Sequence, residues 1–556
     1  MPVIKVREKT EEYNSGLVTG QSNAAVVPLF VNGLAGIDDT SIEYIRKEFF
    51  CSLYHTSKAF IADYKNYRIE ADNSYQMIID LLDSGLEVYV DPIDITNPNV
   101  LPGKEETVVI NVENNPDTPE VDESLQSVTI KGNTFNPVFE GFFNFEGYFV
   151  DDMDEVLKSI IKESIRTGVH IEGMPTSYDN FVNIGPVIYG NINEEAFNGL
   201  LDALISIDDF NLNSLTNSYY YELRDKTRFN FKFLTTGAHA NAYIRGSKTN
   251  LEIYGPFKAM IAICASLEEV DNTSGRGDSI ALVDFEDWVR TNTEINIYDI
   301  MSSDFDLQDS VSYKNYNEYY KFADCTYPWL IRDGTTKIEY PGSFGYLKSF
   351  SNSYHNKNNP DYYAIAGYNR GVVGDDSTFT PVERLGEAEM HLMQGDSLAL
   401  WPEENTPAGE SISVNITINP IIRFQENSGA TYIIWGNRVM LPPPVDEDGN
   451  FGSDKITDCN YFLNVRQLIC DVKKECYFAS AKVSFEPNDD ITWFNFRSFV
   501  NPLLDSMVSN RGLQWYAWKR VDSDYKGQMK ATLSIKPIEA VESFDITVYI
   551  RNTDEE

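Results

Sequence analysis

The stretch NSYQMIIDLLDSGLEVYV, residues 73–90, predicts a helix followed directly by a strand. Asn73 or Ser74 is a suitable cap for the helix, and Gly85 ends it. Residues 86–90 then have the β-branched and aromatic character of a strand. Four apolar side chains recur at the spacing of one helix face: Met77, Ile78, Leu81 and Leu82.

The same helix–strand pattern returns further along the chain. Residues 152–166 have helical spacing, Gly168 ends that helix, and residues 169–171 resemble a strand. A strand at 229–234, a helix at 256–267 and a buried strand at 279–284 follow. Alternation of this kind predicts a mixed α/β fold with a largely parallel sheet covered by helices.

Residues 101–150 interrupt this alternation. Between Gly103 and Gln126 there are seven acidic residues and one base, Lys104. Short β-prone runs at 107–112 and 127–131 flank the linker, which favours a small exposed β insertion. A long disordered loop is the alternative.

After Gly395 the pattern changes to a compact α+β arrangement. A strand is expected at 411–418, a helix at 460–476, and a second helix capped by Thr492 that reaches Gly512. Pro502 should kink or split that second helix. Strands at 514–521 and 528–535 complete the arrangement.

The sequence predicts an extended arm at each end of the chain. Ile4 and Val6 share one strand face in 3–7, and no partner strand follows that segment at hairpin distance, so it must pair with a remote segment or with another molecule. Segment 544–551 alternates cleanly, with Phe544, Ile546, Val548 and Ile550 on one face. We expect seven side chains to form these intersubunit arms: Val3, Ile4, Val6, Phe544, Ile546, Val548 and Ile550.

The predicted layout is multidomain. Residues 1–22 form an N-terminal arm, 23–100 with 151–395 the central α/β domain, and 101–150 the insertion. Residues 396–540 form the C-terminal α+β domain and 541–556 a C-terminal strand.

The charge of the chain restricts its partners. With 45 basic and 85 acidic residues the net charge is −40, which disfavours binding to nucleic acid and to anionic membranes. No apolar run is long enough to span a bilayer, and the first residues lack the apolar core of a secretory signal. The six scattered cysteines indicate buried free thiols rather than a disulfide scaffold.

No motif for catalysis, metal or cofactor is present. The five histidines form no HExxH pair, and PGSFG at 341–345 lacks the first glycine of a nucleophile elbow. RGSKT at 245–249 has only the end of a phosphate loop, and DEDGN at 446–450 lacks the ligand spacing of a calcium loop. We therefore expect no enzyme activity, no cofactor and no metal.

One segment departs from the acidic average. Residues 511–536 carry six bases and two acids. They predict a basic face that contacts an acidic surface, with ordinary solvated strand charge as the alternative. The expected contact residues are Arg511, Lys519, Arg520, Lys526, Lys530 and Lys536.

Short motifs across about three quarters of the chain resemble the contractile tail sheath proteins of bacteriophages, in family order. They are DNSYQM (72–77), YPW (327–329), PGSFGYL (341–347), YAIAGYNRG (363–371), IWGNR (434–438), FLNVR (462–466), FEPND (485–489) and IKP (535–537). Pro502 and residues 103–150 depart from the family pattern.

The resemblance implies a structural protein with a central domain of subtilisin-like fold that lacks a protease triad. It implies six-fold rings of this chain stacked into a helical tube around the tail tube, ended by baseplate and tail terminator proteins. Such a sheath assembles in the host cytoplasm, becomes part of the virion and contracts to drive the tube through the host envelope. The alternatives are another virion shell or decoration protein with exchanged arms, and a degenerate hydrolase.

Overall fold

The computed structural model of the chain describes part of its 556 residues. The described residues are 22–31, 51–69, 72–94, 128–130, 133–135, 219–239, 245–247, 250–252, 255–265, 275–284, 319–332, 338–394, 416–426, 429–442, 458–523 and 527–540. They fall into two compact units, one within residues 23–466 and the other formed by 467–556 with 1–22.

The strands of the described residues are, in chain order, β1 Ala25–Val31, β2 Ser52–Tyr54, β3 Val88–Asp94, β4 Val128–Ile130, β5 Asn133–Phe135, β6 Phe233–Leu234, β7 Arg245–Ser247, β8 Asn250–Glu252, β9 Ile280–Val283, β10 Ala323–Tyr327, β11 Leu330–Arg332, β12 Ile338–Tyr340, β13 Val372–Asp375, β14 Phe379–Pro381, β15 Asn419–Glu426, β16 Gly429–Ile434, β17 Leu513–Val521 and β18 Lys530–Pro537. The helices are α1 Ser57–Tyr64, α2 Ser74–Asp83, α3 Gly255–Cys264, α4 Gly342–Ser351, α5 Gly367–Arg370, α6 Glu387–Met393, α7 Leu463–Val483 and α8 Asp490–Ser509.

A nine-stranded sheet organises the unit within residues 23–466, in the order β13-β16-β15-β10-β9-β6-β1-β3-β2. The six strands from β15 to β3 run parallel, and the outer strands β13, β16 and β2 pair antiparallel. All seven residues of β1 are buried, as expected for a central strand that has both faces covered. The predicted parallel sheet is thus confirmed for the centre, and antiparallel strands flank it.

The first helix–strand unit forms as predicted, with a different cap. Asn73 makes no side-chain capping hydrogen bond; instead Asp72 accepts from the backbone N–H of Ser74 at 2.7 Å. The other oxygen of Asp72 accepts from the N–H of Phe30 at 3.1 Å, which ties the start of α2 to β1. The predicted repeat at 152–171 lies outside the described residues.

Within the predicted insertion, the structure describes one antiparallel hairpin. Val128 pairs with Phe135 and Ile130 with Asn133, so the β run expected at 127–131 is present as β4. The run expected at 107–112 lies outside the described residues.

The sheet continues beyond residue 395, where the sequence predicts the end of the central domain. β15 pairs with β10 through Thr326 and Asn419, so residues 419–434 belong to the nine-stranded sheet. Ile416 and Ile418, at the end of the strand expected at 411–418, are buried but lie before β15, which begins at Asn419. Residues 411–415 lie outside the described residues. A boundary after residue 466 separates the two units.

The two long helices differ from expectation in their ends. α7 extends to Val483, and α8 begins at Asp490 because Asp489, not Thr492, caps it. The Asp489 carboxylate accepts from the N–H groups of Ile491 and Thr492 at 3.0 and 2.9 Å. Pro502 does not split α8, and burial of the neighbouring Leu503 and Leu504 offsets the lost backbone hydrogen bond.

Candidate assembly surface

The unit that contains residues 467–540 is built on α8 and the ribbon of β17 and β18. Three side-chain hydrogen bonds from β17 fix the ribbon along the helix. Tyr516 donates to Asp505 at 2.7 Å and Trp518 to Asn501 at 3.0 Å, while Arg520 pairs with Asp490 at 2.6 Å. Burial, with Asp505 beside the hydroxyl, raises the pKa of Tyr516 to about 12, so this hydroxyl remains a donor at neutral pH.

An aromatic cluster fills the space between the helix and the ribbon. Trp518 meets the rings of Trp493 and Phe496 edge-on, with centroids 5.6 and 5.7 Å apart. Trp493 and Phe496 stack on each other at 5.7 Å. Edge-on and stacked aromatic pairs add stabilisation beyond their buried area. Because Trp518 packs on α8 through these contacts, the face of the ribbon that carries Trp518 is its inner face.

The ribbon itself has two free edges among the described residues. β17 and β18 pair antiparallel over Leu513 to Val521 and Lys530 to Pro537, with a register shift between Leu513 and Trp515. No other described strand joins either one. Each strand therefore presents a row of backbone N–H and C=O groups that another extended segment can pair with.

The register assigns the predicted basic residues to different sides of the ribbon. Trp515 lies opposite Lys536, Lys519 opposite Thr532, and Val521 opposite Lys530. Because side chains alternate between faces and Trp518 lies on the inner face, the three lysines belong to the outer face. All three are exposed.

The remaining predicted basic residues do not share that face. Arg520 lies on the inner side, where it contacts Asp490 and Asn488. Arg511 is exposed in the turn after α8, with a backbone φ of 61°. Lys526 lies outside the described residues. The outer face thus has Lys519, Lys530 and Lys536 as its basic set.

The seven predicted arm residues cannot be placed. Val3, Ile4, Val6, Phe544, Ile546, Val548 and Ile550 all lie outside the described residues. Their pairing stays a prediction.

The serine of the PGSFG motif is buried and bonded to a carboxyl group. Ser343, in the PGSFG motif at the start of α4, donates to Asp284 at 2.8 Å, and its backbone N–H donates to the same carboxyl. Ser343 and Asp284 are 1% and 0% exposed, so no substrate can reach the hydroxyl. Burial raises the pKa of Asp284 to about 7, and the same holds for the neighbouring Asp324.

The motifs that carry the resemblance contact one another in the interior. Asn437 and Asn464 exchange two hydrogen bonds of 2.8 and 3.2 Å, joining IWGNR to FLNVR. The N–H of Ile434 donates to Gly371 O at 2.8 Å, joining IWGNR to YAIAGYNRG. Gly342 packs so closely on the carbonyl of Thr326 that a β-carbon there would lie 1.8 Å from the oxygen. These segments thus hold the fold together.

Two further properties concern the described residues alone. None of the helices there has the length and apolar character needed to cross a membrane. No group of three or more His, Cys, Asp or Glu side chains there is arranged to hold a metal ion.

Comparison with known proteins gives matches among solved structures. No family profile matches the chain, and no curated protein matches it. The chain is similar to one in the cryo-EM structure of the anti-feeding prophage helical sheath in its contracted state, with 12% identity and a TM-score of 0.43, over 99% of both chains. It is also similar to one in the six-fold symmetrised cryo-EM structure of the anti-feeding prophage baseplate, with 10% identity and a TM-score of 0.43, over 100% of this chain and 99% of that chain.

Proposed function

We propose that this protein is a structural, non-catalytic subunit of a contractile tail sheath. One observation carries the proposal: the described residues of the C-terminal unit form a two-stranded ribbon with both edges unpaired. The ends of the chain supply two strand-forming segments, at 3–7 and 544–551. An edge and a loose strand are the two components of β-strand addition between molecules.

In this proposal the arms of one copy pair with the ribbon of a neighbour. The arm at 3–7 and the strand at 544–551 join the edges of β17 and β18, and the backbone hydrogen bonds link copies into a mesh. Such contacts are heterologous, since the arm and the edge are different surfaces, and repeated heterologous contacts build rings or helical tubes. Contraction is then a rearrangement of folded subunits between two packings, with the mesh intact.

The resemblance and the charge suggest the remaining roles. We propose that the outer face with Lys519, Lys530 and Lys536 contacts the tail tube or an adjacent subunit, and that the acidic remainder keeps free subunits apart. The partners are other copies in six-fold rings, the tail tube, the baseplate and the tail terminator. The subtilisin-like central domain, the phage virion location and genome ejection belong to the same proposal.

Truncation tests the arm mechanism. Deleting residues 1–12, or ending the chain before Phe544, should leave a folded protein that no longer polymerises. Negative-stain microscopy and sedimentation velocity measure assembly, and circular dichroism measures folding. If both truncated proteins form hollow tubes as the full chain does, the arm mechanism is refuted.

Ionic strength gives an independent test. Because each subunit carries −40, added salt should screen repulsion and promote assembly up to a point. Light scattering across an ionic-strength series measures this. Assembly that only weakens with salt would contradict the role given to the acidic surface.

A serine-directed covalent probe separates this role from the hydrolase alternative. Ser343 is buried and donates to Asp284, so we expect the folded protein to show no labelled serine. Stoichiometric labelling of one serine in the folded protein would favour an enzyme.

A further inference from the structure

The turn between α7 and α8 presents an unusual apolar surface. Phe485 is 108% exposed, Ile491 69% and Phe494 63%. Ile491 and Phe494 are three residues apart in α8 and therefore neighbours on the helix surface. We name these three residues the turn patch. Large apolar side chains this exposed, in one short stretch of the chain, indicate an interaction surface.

The backbone of Phe485 points to the same conclusion independently. Its φ is 70°, in the left-handed region, and it lies two residues after Val483, the last residue of α7. Glycine is favoured at this position after a helix, because a β-carbon is unfavourable there. The fold thus holds a bulky aromatic residue where glycine would suit it better, and the side chain gains no burial within its own chain. Because the strained backbone at Phe485 brings no burial of the ring within the chain, it points to a contact of the ring with another molecule.

The charges around the turn patch identify the type of partner. Glu486, Asp489 and Asp490 surround it in sequence, and all three are exposed. Asp490 contacts Arg520 and Asp489 caps α8, whereas Glu486 stands beside Phe485 at the tip of the turn. A complementary surface is apolar with basic neighbours.

The chain carries such a surface on the outer face of its own ribbon. Trp515 is 48% exposed and lies directly opposite Lys536 in the β17–β18 register. Lys519 and Lys530 continue the basic side of that face, and within the described residues no ion pair engages any of the three lysines. An exposed tryptophan beside lysines complements exposed phenylalanines beside acids.

We propose that the turn patch of one copy docks on the outer ribbon face of a second copy, with Phe485 against Trp515 and Glu486 near Lys536. The two surfaces are made of different residues, so the contact is heterologous and can repeat from copy to copy. This inference rests on the proposed function as a self-assembling subunit. It adds a contact between side chains to the backbone pairing of the arms.

Substitutions at Phe485 separate docking from folding. In the Phe485→Gly variant the left-handed backbone is relieved, so the midpoint of urea unfolding should stay the same or rise. The concentration needed for assembly should rise about tenfold or more, as for loss of an aromatic hot spot. Phe485→Ala is the matched control, because it removes the ring but keeps the strained backbone. Both variants should assemble poorly. The alanine variant should match the parent in stability, because it keeps the same strain and loses no buried area, and the glycine variant should match or exceed it.

A charge exchange tests the partner surface. Glu486→Lys and Lys536→Glu should each weaken assembly, and the double variant should recover most of it, because the pair is restored between copies. If the double variant is as weak as the two single changes combined, the assignment of Glu486 to Lys536 is overturned.

Cross-linking of mixed copies tests the geometry directly. A Phe485→Cys copy mixed with a Trp515→Cys copy under mild oxidation should give a 485–515 disulfide between chains, identified by peptide mass spectrometry. The parent chain, oxidised in parallel, controls for its six native cysteines. A chain with both substitutions that closes the same disulfide within one monomer would overturn the proposal.

The outcomes distinguish this contact from the proposed function. If the full chain forms tubes while Phe485→Gly assembles at the parent concentration and no 485–515 cross-link forms, the docking is wrong and the sheath role stands. If the full chain never forms tubes or rings under any salt condition, the proposed function fails. A Phe485→Gly chain that assembles normally but loses binding to purified tail tubes would also overturn the docking, and would assign the turn patch to the tube.

Discussion

Replacing Asp361 by asparagine should lower the free energy of unfolding by about 3–5 kcal/mol. The Lys232 ammonium lies 2.9 Å from the Asp361 carboxylate, and the two side chains are 0% and 4% exposed. At an effective dielectric constant of about 20, charges at this distance attract by about 6 kcal/mol, which offsets much of the desolvation of both groups. Removing one charge leaves the other buried without that attraction.

Two neutral contacts of the Lys232 ammonium do not depend on the carboxylate. The ammonium is 3.4 Å from Asn23 Oδ1 and 5.6 Å from the centre of the Phe350 ring. Both contacts stay in the Asp361→Asn variant, and the new amide oxygen can still accept a hydrogen bond. We therefore expect a loss near the lower end of the range for asparagine and near the upper end for Asp361→Leu.

Urea unfolding of the unassembled chain at pH 7, followed by tryptophan fluorescence, measures these differences. Trp329 is fully buried in the same unit and reports its unfolding. The matched control is the double variant Lys232→Met with Asp361→Leu, in which both charges are gone. It should be close to the parent in stability, because an apolar pair of similar volume needs no compensation. A loss below about 1 kcal/mol for Asp361→Asn, or a double variant as unstable as the two single changes together, would refute the reasoning.

Further predictions concern pH, packing and helix capping. The pKa of Asp284 and that of Asp324 rise from 3.8 to about 7, so the folded state holds these protons more tightly. Each protonated carboxyl contributes up to about 4 kcal/mol to the free energy of unfolding, fully present below pH 4 and lost as the pH rises through 7. Urea unfolding at pH 5.5 and at pH 8 should show this loss of stability, and the loss should be smaller in the Asp284→Asn variant. An equal difference between the two pH values in parent and variant would contradict the assignment. Gly342→Ala should destabilise the central unit strongly, because the added carbon would lie 1.8 Å from a backbone oxygen. Thermal unfolding measures this change. A melting temperature within about 1–2 °C of the parent's, which corresponds to a stability loss of about 0.5 kcal/mol, would contradict the prediction. Asp489→Ala should lower the free energy of unfolding by about 1 kcal/mol through loss of the α8 cap, and Asp489→Asn should lower it much less, as measured by urea unfolding. Equal losses in the two variants would show that the charge, not the capping hydrogen bonds, is responsible.

The local elements were largely predictable from residue patterns. Met77, Ile78, Leu81 and Leu82 are all buried on one face of α2, as the spacing indicated. The hairpin of β17 and β18 also forms close to the predicted bounds. Periodicity and stop residues act over a few neighbours, so they can be read without knowledge of the rest of the chain.

Capping and the candidate site were less predictable. Asp72 was not recognised as the residue that holds α2, because its second partner, Phe30, is 42 residues away. Lys519 and Arg520 look equivalent as a basic pair, yet one faces outward and the other contacts Asp490. Strand alternation would have separated them, but the inner face could be identified only from the packing of Trp518 on α8.

The turn patch was missed for a different reason. Phe485 and Phe494 look like ordinary core residues in a sequence with 32 phenylalanines. Their exposure depends on where α7 ends and on the left-handed backbone at residue 485. Neither property has a clear local signal.

The amino-acid sequence alone indicated some of the helices and strands, such as α2, α7, β17 and β18, together with the parallel centre of the sheet and the acidic charge, because each follows from side-chain chemistry and short-range spacing. The tertiary structure decided the strand order, the extension of the sheet through residue 434, and which charged and apolar side chains remain at the surface. Those features depend on contacts between residues more than a hundred positions apart, such as Asp80 with Tyr340 or Lys232 with Asp361, and no local pattern encodes contacts at such separations.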